Sequence, residues 1–155
     1  MRLAFVRGMA TEQKAFPAKP VLIVDDDKES LFSLVVTLRS AGITNFRTVS
    51  DSAGAPRMLA TETFSLMLLD LNAPDLSGQV VLQETATLQG RPPVVIVTGA
   101  ARPSDLAARS TDGVVDCLAK PVDRDRLVSA VRTALAVSER AAAQEAAATE
   151  GGRAC

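Results

Sequence analysis

Short apolar runs recur along the chain and alternate with segments in which apolar residues are three or four positions apart. Continuous apolar runs of four to six residues are typical of strands that are buried on both faces. The wider spacing is typical of helices with one buried face. The pattern predicts strands at 21–24, 45–49, 64–69, 94–97 and 114–119, and helices at 28–40, about 55–61, about 78–88, 103–110 and from about 123 onward.

The regular alternation of strand and helix determines the predicted fold class. Strands joined by helices pair in parallel, and right-handed crossovers place the helices on both faces of the sheet. We therefore predict an α/β fold, a doubly wound five-stranded parallel sheet with helices on both faces.

The 155 residues are enough for one domain, and they divide into three parts. Residues 1–19 are predicted to be a flexible N-terminal extension, in which Met9 is another plausible start. The domain itself is predicted to cover residues 20–137. Residues 138–155 form an alanine-rich C-terminal tail, for which a helical extension and a disordered segment both remain open.

Composition excludes several classes of function. The formal net charge is -1, which argues against the clustered basic surface that nucleic-acid binding needs. The chain has no histidine, so it cannot carry a phosphohistidine. Two cysteines are too few for a disulfide or zinc framework, and no segment has the length and apolarity of a membrane span. We expect a cytoplasmic protein.

Polar residues follow the predicted strands at the point where each strand ends. Asp25 and Asp26 follow the first strand, Asp70 the third, Thr98 the fourth and Lys120 the fifth. The carboxyl ends of parallel strands meet at one edge, which is where open α/β sheets bind their ligands. Neighbouring carboxylates repel one another unless a cation neutralises them, and hard cations such as Mg²⁺ prefer oxygen ligands.

Each of these residues also has an ordinary structural explanation. The aspartates at 25–27 could cap the following helix, and Asp70 could be a solvated loop residue. Thr98 could be an ordinary strand residue, and Lys120 a surface lysine. Taken together, however, the five residues favour an electrostatic cage around a phosphoryl group, with Asp70 placed as a nucleophile.

Four segments give these residues a recognisable context: VLIVDDDKES, LLDLNAPDLSG, VIVTGAA and CLAKPV. In order and approximate spacing they resemble the landmark segments of the receiver (CheY-like) domain of two-component response regulators. The resemblance covers about residues 20–137 and suggests a stand-alone, single-domain type. It implies a flavodoxin-like (βα)5 fold with strand order 2-1-3-4-5.

The resemblance implies a phosphorylation site and a metal site. Asp70 would be the phosphoacceptor. Asp26, with Asp25 directly or through water, would hold Mg²⁺ together with Asp70 and the backbone carbonyl of Asn72.

The resemblance also implies which residues respond to the phosphoryl group. Thr98 would turn toward it, Lys120 would pair with its oxygens, and the bond from Lys120 to Pro121 would be cis. Gly99 would leave the acceptor open to a donor or to water. The family usually has Tyr or Phe three residues before the lysine, and Cys117 stands there in this chain.

A receiver of this kind would take its phosphoryl group from a histidine kinase or a histidine phosphotransfer protein. It would act on a downstream protein through contacts that depend on phosphorylation, as a monomer or weak homodimer. Its only catalysis would be its own phosphorylation and dephosphorylation.

Two other functions are compatible with parts of the sequence. Asp25 and Asp27 imitate the DxD start of haloacid-dehalogenase-type phosphohydrolases, with Asp25 as nucleophile and Asp27 as acid. Glu29, however, stands where that family has Thr or Val. The other alternative is a receiver-like interaction module that no longer cycles, to which the replacement by Cys117 would point.

Overall fold

The computed structural model describes residues 14–51, 53–73, 76–99 and 113–151. Seven strands and four helices lie in this part of the chain. They are, in order, β1 (Val21–Val24), α1 (Lys28–Ser40), β2 (Phe46–Val49), α2 (Gly54–Thr61), β3 (Leu66–Leu69), β4 (Asn72–Ala73), β5 (Leu76–Ser77), α3 (Gly78–Thr85), β6 (Val94–Thr98), β7 (Val114–Ala119) and α4 (Arg124–Gly151).

Five of these strands form one parallel sheet in the order β2-β1-β3-β6-β7. Counted along the five sheet strands, this is the predicted order 2-1-3-4-5, so the predicted fold class is confirmed. The short strands β4 and β5 form a separate antiparallel pair. Strand β1 lies at the centre, where Val24 is level with Val49 of β2 and with Leu69 of β3.

The sheet is buried on both faces because its central strands are apolar at every position. Alternate residues of a strand point to opposite faces, so Val21 and Ile23 belong to one apolar core while Leu22 and Val24 belong to the other. Helices α1 and α4 cover the first core, and α2 and α3 cover the second. Each fully buried aliphatic side chain contributes roughly 1.5–3 kcal/mol to stability.

Several predicted boundaries are shifted by one to three residues. Strand β2 begins at Phe46 and not at residue 45, because the hydrogen bonds of Asn45 tie it to residues 16–18. Strand β3 begins at Leu66 and not at residue 64, because Ser65 bonds to the backbone of residues 19 and 20. Strand β6 ends at Thr98 and not at residue 97.

Helix α3 ends at Thr85 and not at residue 88, since single turns take over from there. The Thr85 hydroxyl donates to the Val81 carbonyl, a bond that competes with the regular helix backbone. The helix predicted at 103–110 lies outside the described residues.

The segment before β1 is attached to the sheet edge. The Phe16 carbonyl accepts from the backbone amides of Thr44 and Asn45 at 2.8 and 3.0 Å. The Asn45 side-chain amide donates to the carbonyls of Pro17 and Ala18 at 3.0 and 3.2 Å. This part of the predicted N-terminal extension is therefore anchored to the domain.

Helix α4 is 28 residues long and has two different parts. Its first part buries the five residues predicted to face inward: Leu127, Ala130, Val131, Ala134 and Leu135. Residues 139–151 continue the same helix with every side chain exposed. None of the helices in the described segments combines the length and the apolarity needed to span a bilayer.

The first residue of α3 lies against the backbone that follows β3. A Cβ atom placed on Gly78 would collide with the Asp70 carbonyl oxygen and would be 2.6 Å from the Leu71 Cα atom. Both are backbone atoms, which cannot rotate away as a side chain does. Only glycine therefore allows the chain to return this closely to Asp70.

We expect Gly78→Ala to lower the free energy of unfolding by about 1–3 kcal/mol, because the added methyl group must displace backbone. Urea unfolding followed by circular dichroism measures the change. Gly151→Ala is the matched control, since a Cβ there would have no atom of the described residues within 4 Å. Equal stability of the two variants would contradict the close approach.

Candidate functional site: a carboxylate cluster at the carboxyl edge of the sheet

Three carboxylates meet at the carboxyl edge of the sheet. Asp25 and Asp26 directly follow β1, and Asp70 directly follows the neighbouring strand β3. The backbone hydrogen bonds between neighbouring strands continue past the strand ends. The Asp25 amide donates to the Val49 carbonyl at 3.1 Å, and the Asp70 amide donates to the Val24 carbonyl at 3.0 Å. One carboxylate oxygen from each aspartate lies within 4.8 Å of the other two. Parallel pairing thus brings together residues 45 positions apart in sequence.

Lys120 extends into this cluster from the end of β7. Its Nζ atom lies 2.7 Å from Asp25 Oδ2 and 2.9 Å from Asp70 Oδ2. The Lys120 amide donates to the Thr98 carbonyl at 2.9 Å, and the peptide bond to Pro121 is cis, as the resemblance implied. The lysine side chain is 25% exposed, whereas those of Asp25 and Asp70 are 2% and 10% exposed. The ammonium group therefore reaches two nearly buried carboxylates from the solvent side.

The surroundings act on the pKa of Lys120 in two directions. Burial lowers it, whereas the hydrogen bonds and negative charges of Asp25 and Asp70 raise it, and the net result is a pKa above the ordinary lysine value. The side chain is consequently a cation throughout the neutral range. It offsets part of the repulsion among the carboxylates.

The start of helix α1 fixes the orientation of Asp25. Its Oδ1 atom accepts from the Asp27 amide at 2.9 Å, and its Oδ2 atom accepts from the Ser30 hydroxyl at 2.6 Å. Ser30 was not among the predicted site residues. The available signal was its position in the first turn of α1, five residues after Asp25, where its hydroxyl lies below the end of β1.

Asp27 has a different task from its two neighbours. Its carboxylate caps α1 by accepting from the amides of Glu29 and Ser30 at 2.8 and 3.2 Å. The capping explanation considered for residues 25–27 is therefore right for Asp27, whereas Asp25 and Asp26 belong to the cluster. The phosphohydrolase hypothesis needs Asp27 as an acid beside Asp25, and the geometry argues against it.

Thr98, Gly99 and Asn72 lie around the same edge. Thr98 is the last residue of β6 and is fully buried, while Gly99 after it is exposed. Among the described residues, the nearest neighbour of a Cβ placed on Gly99 would be the Lys120 Cβ, at 3.9 Å. Asn72 begins the short strand β4, two residues after Asp70. Thr98, Gly99 and Asn72 thus follow or end strands at the same edge as the carboxylates, as predicted.

Cys117 lies away from the cluster, in the middle of β7 and level with Ile96. It is partly buried and packs against the core between the sheet and helices α2 and α3. Burial, followed by the charge of Asp116, raises the pKa of its thiol. The residue therefore behaves as a small apolar side chain where an aromatic ring would be much larger.

The donor set of the cluster fits a hard divalent cation. Three carboxylates and one ammonium group leave a formal charge of -2 (three negative charges and one positive). Carboxylate oxygens together with a backbone carbonyl are ligands that suit Mg²⁺, and no softer ligand takes part in the described cluster. The arrangement can bind such an ion beside a nucleophilic carboxylate.

The chain is similar to curated regulators over its central part. It is 34% identical over 115 residues to the transcriptional regulatory protein GlrR of Escherichia coli K12, which is 74% of this chain and 26% of GlrR. It is 26% identical over 111 residues to the cell cycle transcriptional regulator CtrA of Caulobacter vibrioides, covering 48% of that protein. The chain thus spans a quarter to a half of the length of these relatives.

Solved structures show the same fold. A CheY-like response regulator receiver domain protein from Methanospirillum hungatei JF-1 superposes with a TM-score of 0.69 at 26% identity, covering 79% of this chain and 97% of that one. A sensor protein from Polaromonas sp. JS666 gives a TM-score of 0.70, also at 26% identity, with 79% and 99% covered. The sequence pattern of the response regulator receiver domain matches residues 21–132. The chain belongs to the family of receiver domains of two-component response regulators.

Proposed function

We propose that this receiver domain accepts a phosphoryl group on Asp70 from a phosphohistidine protein, and that it signals through protein contacts that change on phosphorylation. The observation that carries the proposal is the position of the Asp70 carboxylate. It is nearly buried, it lies 2.9 Å from the Lys120 ammonium, and it is within 4.8 Å of two further carboxylates.

Asp25, Asp26, Asp70 and the carbonyl of Asn72 would hold Mg²⁺. The bound ion would supply positive charge to phosphoryl oxygens and neutralise the cluster. The chain's own contribution is orientation. Asp25 is fixed by Ser30 and by the Asp27 amide, so its carboxylate does not have to reorganise when the ion binds.

The transfer itself is a displacement at phosphorus. A carboxylate oxygen of Asp70 forms the new P–O bond while the P–N bond to the donor imidazole breaks. The imidazole nitrogen leaves with the bonding electron pair and takes up a proton. Lys120 would offset negative charge on the phosphoryl oxygens. Later attack by water at phosphorus would break the P–O bond to Asp70, release inorganic phosphate and return Asp70 to its carboxylate form.

The phosphoryl group carries about 1.5 to 2 negative charges, and because Asp70 loses its own carboxylate charge when it is modified, the site becomes more negative than its formal -2 by about one charge at most. Thr98, the last residue of β6, would donate its hydroxyl to the new oxygens, and the exposed Gly99 would leave room for a donor. Movement of a large aromatic ring on β7 cannot report the change, because Cys117 occupies that position. We infer that rearrangement of Thr98 and of Lys120 reports it instead.

A protein donor would find an apolar contact beside the site. Phe32 and Val36 lie one turn apart on α1, with 72% and 49% of their surface exposed. The same helix begins at Lys28, and its cap Asp27 directly follows the cluster residues Asp25 and Asp26. Large exposed apolar side chains next to a reactive group are typical of a protein docking surface.

We expect Asp70→Asn to abolish labelling by a phosphohistidine donor and by acetyl phosphate, because the amide is not a nucleophile. Phosphate-affinity gel electrophoresis and intact-protein mass spectrometry measure the label, and circular dichroism checks the fold. The matched control is Asp125→Asn, whose side chain is 90% exposed on α4. Labelling of Asp70→Asn at the wild-type level would refute the assignment.

A titration with beryllofluoride and Mg²⁺, followed by NMR, separates a cycling receiver from a non-cycling module. Shifts at Thr98 and Lys120 that disappear with chelation of the metal are the expected result. The same titration without any shift would favour the interaction module that does not cycle.

We expect Phe32→Ala to slow transfer from a phosphohistidine protein by about tenfold, the effect of losing one interface anchor. Labelling by acetyl phosphate, which needs no docking, should be unchanged. Val80→Ala removes a comparable exposed side chain from α3 and serves as the control. If both donors were slowed equally by Phe32→Ala, the effect would lie in the site and not in docking.

A further inference from the structure

Two hydrogen-bond donors share one oxygen atom of Asp25. The Oδ2 atom accepts from the Ser30 hydroxyl at 2.6 Å and from the Lys120 ammonium at 2.7 Å, while Oδ1 accepts from the Asp27 amide at 2.9 Å. The side chain of Asp25 is only 2% exposed, so water has little access to replace a donor that leaves. The hydrogen bonding of Asp25 therefore depends on which of the two donors stays at Oδ2.

The two donors differ in how firmly the chain holds them. Ser30 lies in the first turn of α1, and its amide donates to the Asp27 carboxylate that caps this helix. A short side chain attaches its hydroxyl to the helix. Lys120 carries its ammonium at the end of a flexible four-carbon stem, and the same ammonium also contacts Asp70 at 2.9 Å. Ser30 is thus the fixed donor, and Lys120 is the donor that can leave.

A cleft beside Lys120 provides space for such a movement. It has a volume of about 200 Å³ and lies between α1 and the segment that follows β7. Ser30, Ser33 and Thr37 line it from one face of α1, and Lys120 and Pro121 line it from the other side. The described residues therefore leave room next to the lysine stem.

We propose that Ser30 is a positioning residue that allows Lys120 to move from the carboxylates to a phosphoryl group on Asp70. A donor reaches Asp70 from solvent, so the phosphoryl oxygens extend outward, and an ammonium that follows them moves away from the nearly buried Asp25. The Ser30 hydroxyl stays at Asp25 Oδ2, and this buried oxygen keeps a hydrogen bond. This role of Ser30 rests on the proposed function, since it concerns the same site.

Removal of the Ser30 hydroxyl changes the balance between the two positions of the lysine. In the resting site, Asp25 Oδ2 would still have the Lys120 ammonium as a donor. Once the ammonium moved to the phosphoryl oxygens, Oδ2 would have no donor among the described residues, and an unpaired buried carboxylate oxygen is unfavourable. The resting position of the lysine would therefore be favoured.

Binding of beryllofluoride at saturating Mg²⁺, followed by NMR of the Lys120 side chain, tests this role. We expect Ser30→Ala to weaken beryllofluoride binding by about tenfold, the effect of one lost hydrogen bond to a charged group. Ser30→Thr keeps the hydroxyl and should bind within about twofold of the wild type. Ser33→Ala is the matched control and should also bind like the wild type. Ser33 lines the same cleft, but it is not among the described hydrogen-bond partners of Asp25.

A titration with Mg²⁺ alone separates this role from an effect on the metal site. Resting Asp25 keeps two donors in Ser30→Ala, so its Mg²⁺ affinity should fall by no more than about threefold. Equal losses of Mg²⁺ and beryllofluoride affinity would overturn the role of Ser30. So would wild-type beryllofluoride binding by Ser30→Ala, or weakened binding by Ser30→Thr or Ser33→Ala. A wild-type chain without any beryllofluoride response would instead refute the proposed function, and this role with it. Circular dichroism checks the fold of each variant.

Discussion

The contact of the Lys120 ammonium with Asp25 and Asp70 is the interaction on which the site depends. Three carboxylates within 4.8 Å repel one another, and their mutual repulsion would oppose the closing of the sheet edge. The lysine offsets this at 2.7 and 2.9 Å without covering the site completely, since a quarter of its side chain stays exposed. A cation from the protein thereby stabilises the cluster while part of the site stays exposed to solvent.

This contact is possible because of the sheet order. Lys120 follows β7, whereas Asp25 follows β1 and Asp70 follows β3. In the sheet, β6 lies between β7 and β3, and β3 lies between β6 and β1. A shift of one residue in the pairing of β1 with β3 would send one carboxylate to the other face of the sheet. These strands are apolar at every position and buried on both faces, so burial keeps them inside the sheet but does not by itself select one register.

Sequence patterns predicted the parts of the molecule that depend on local order along the chain. The apolar runs located the five sheet strands to within two residues, and strand ends located Asp25, Asp70 and Lys120. Two features could not be predicted in this way. Asn45 lies outside β2 because its side chain bonds to Pro17, 28 positions earlier, and Ser30 contacts Asp25 only once the first turn of α1 has formed. Both contacts depend on which residues meet in the folded structure. The spacing of apolar residues along one segment carries no information about such contacts.

The length of α4 has a mechanical consequence. The helix begins four residues after Lys120, at the reactive edge, and ends beyond the opposite edge of the sheet. Twenty-eight residues make a rod of about 42 Å. A tilt of about 5° at its first turn would carry the far end through roughly 4 Å, by the geometry of a rod of that length. A rigid tilt of the last helix would therefore convert a small displacement next to Lys120 into a movement the size of a side chain at the far end of the helix.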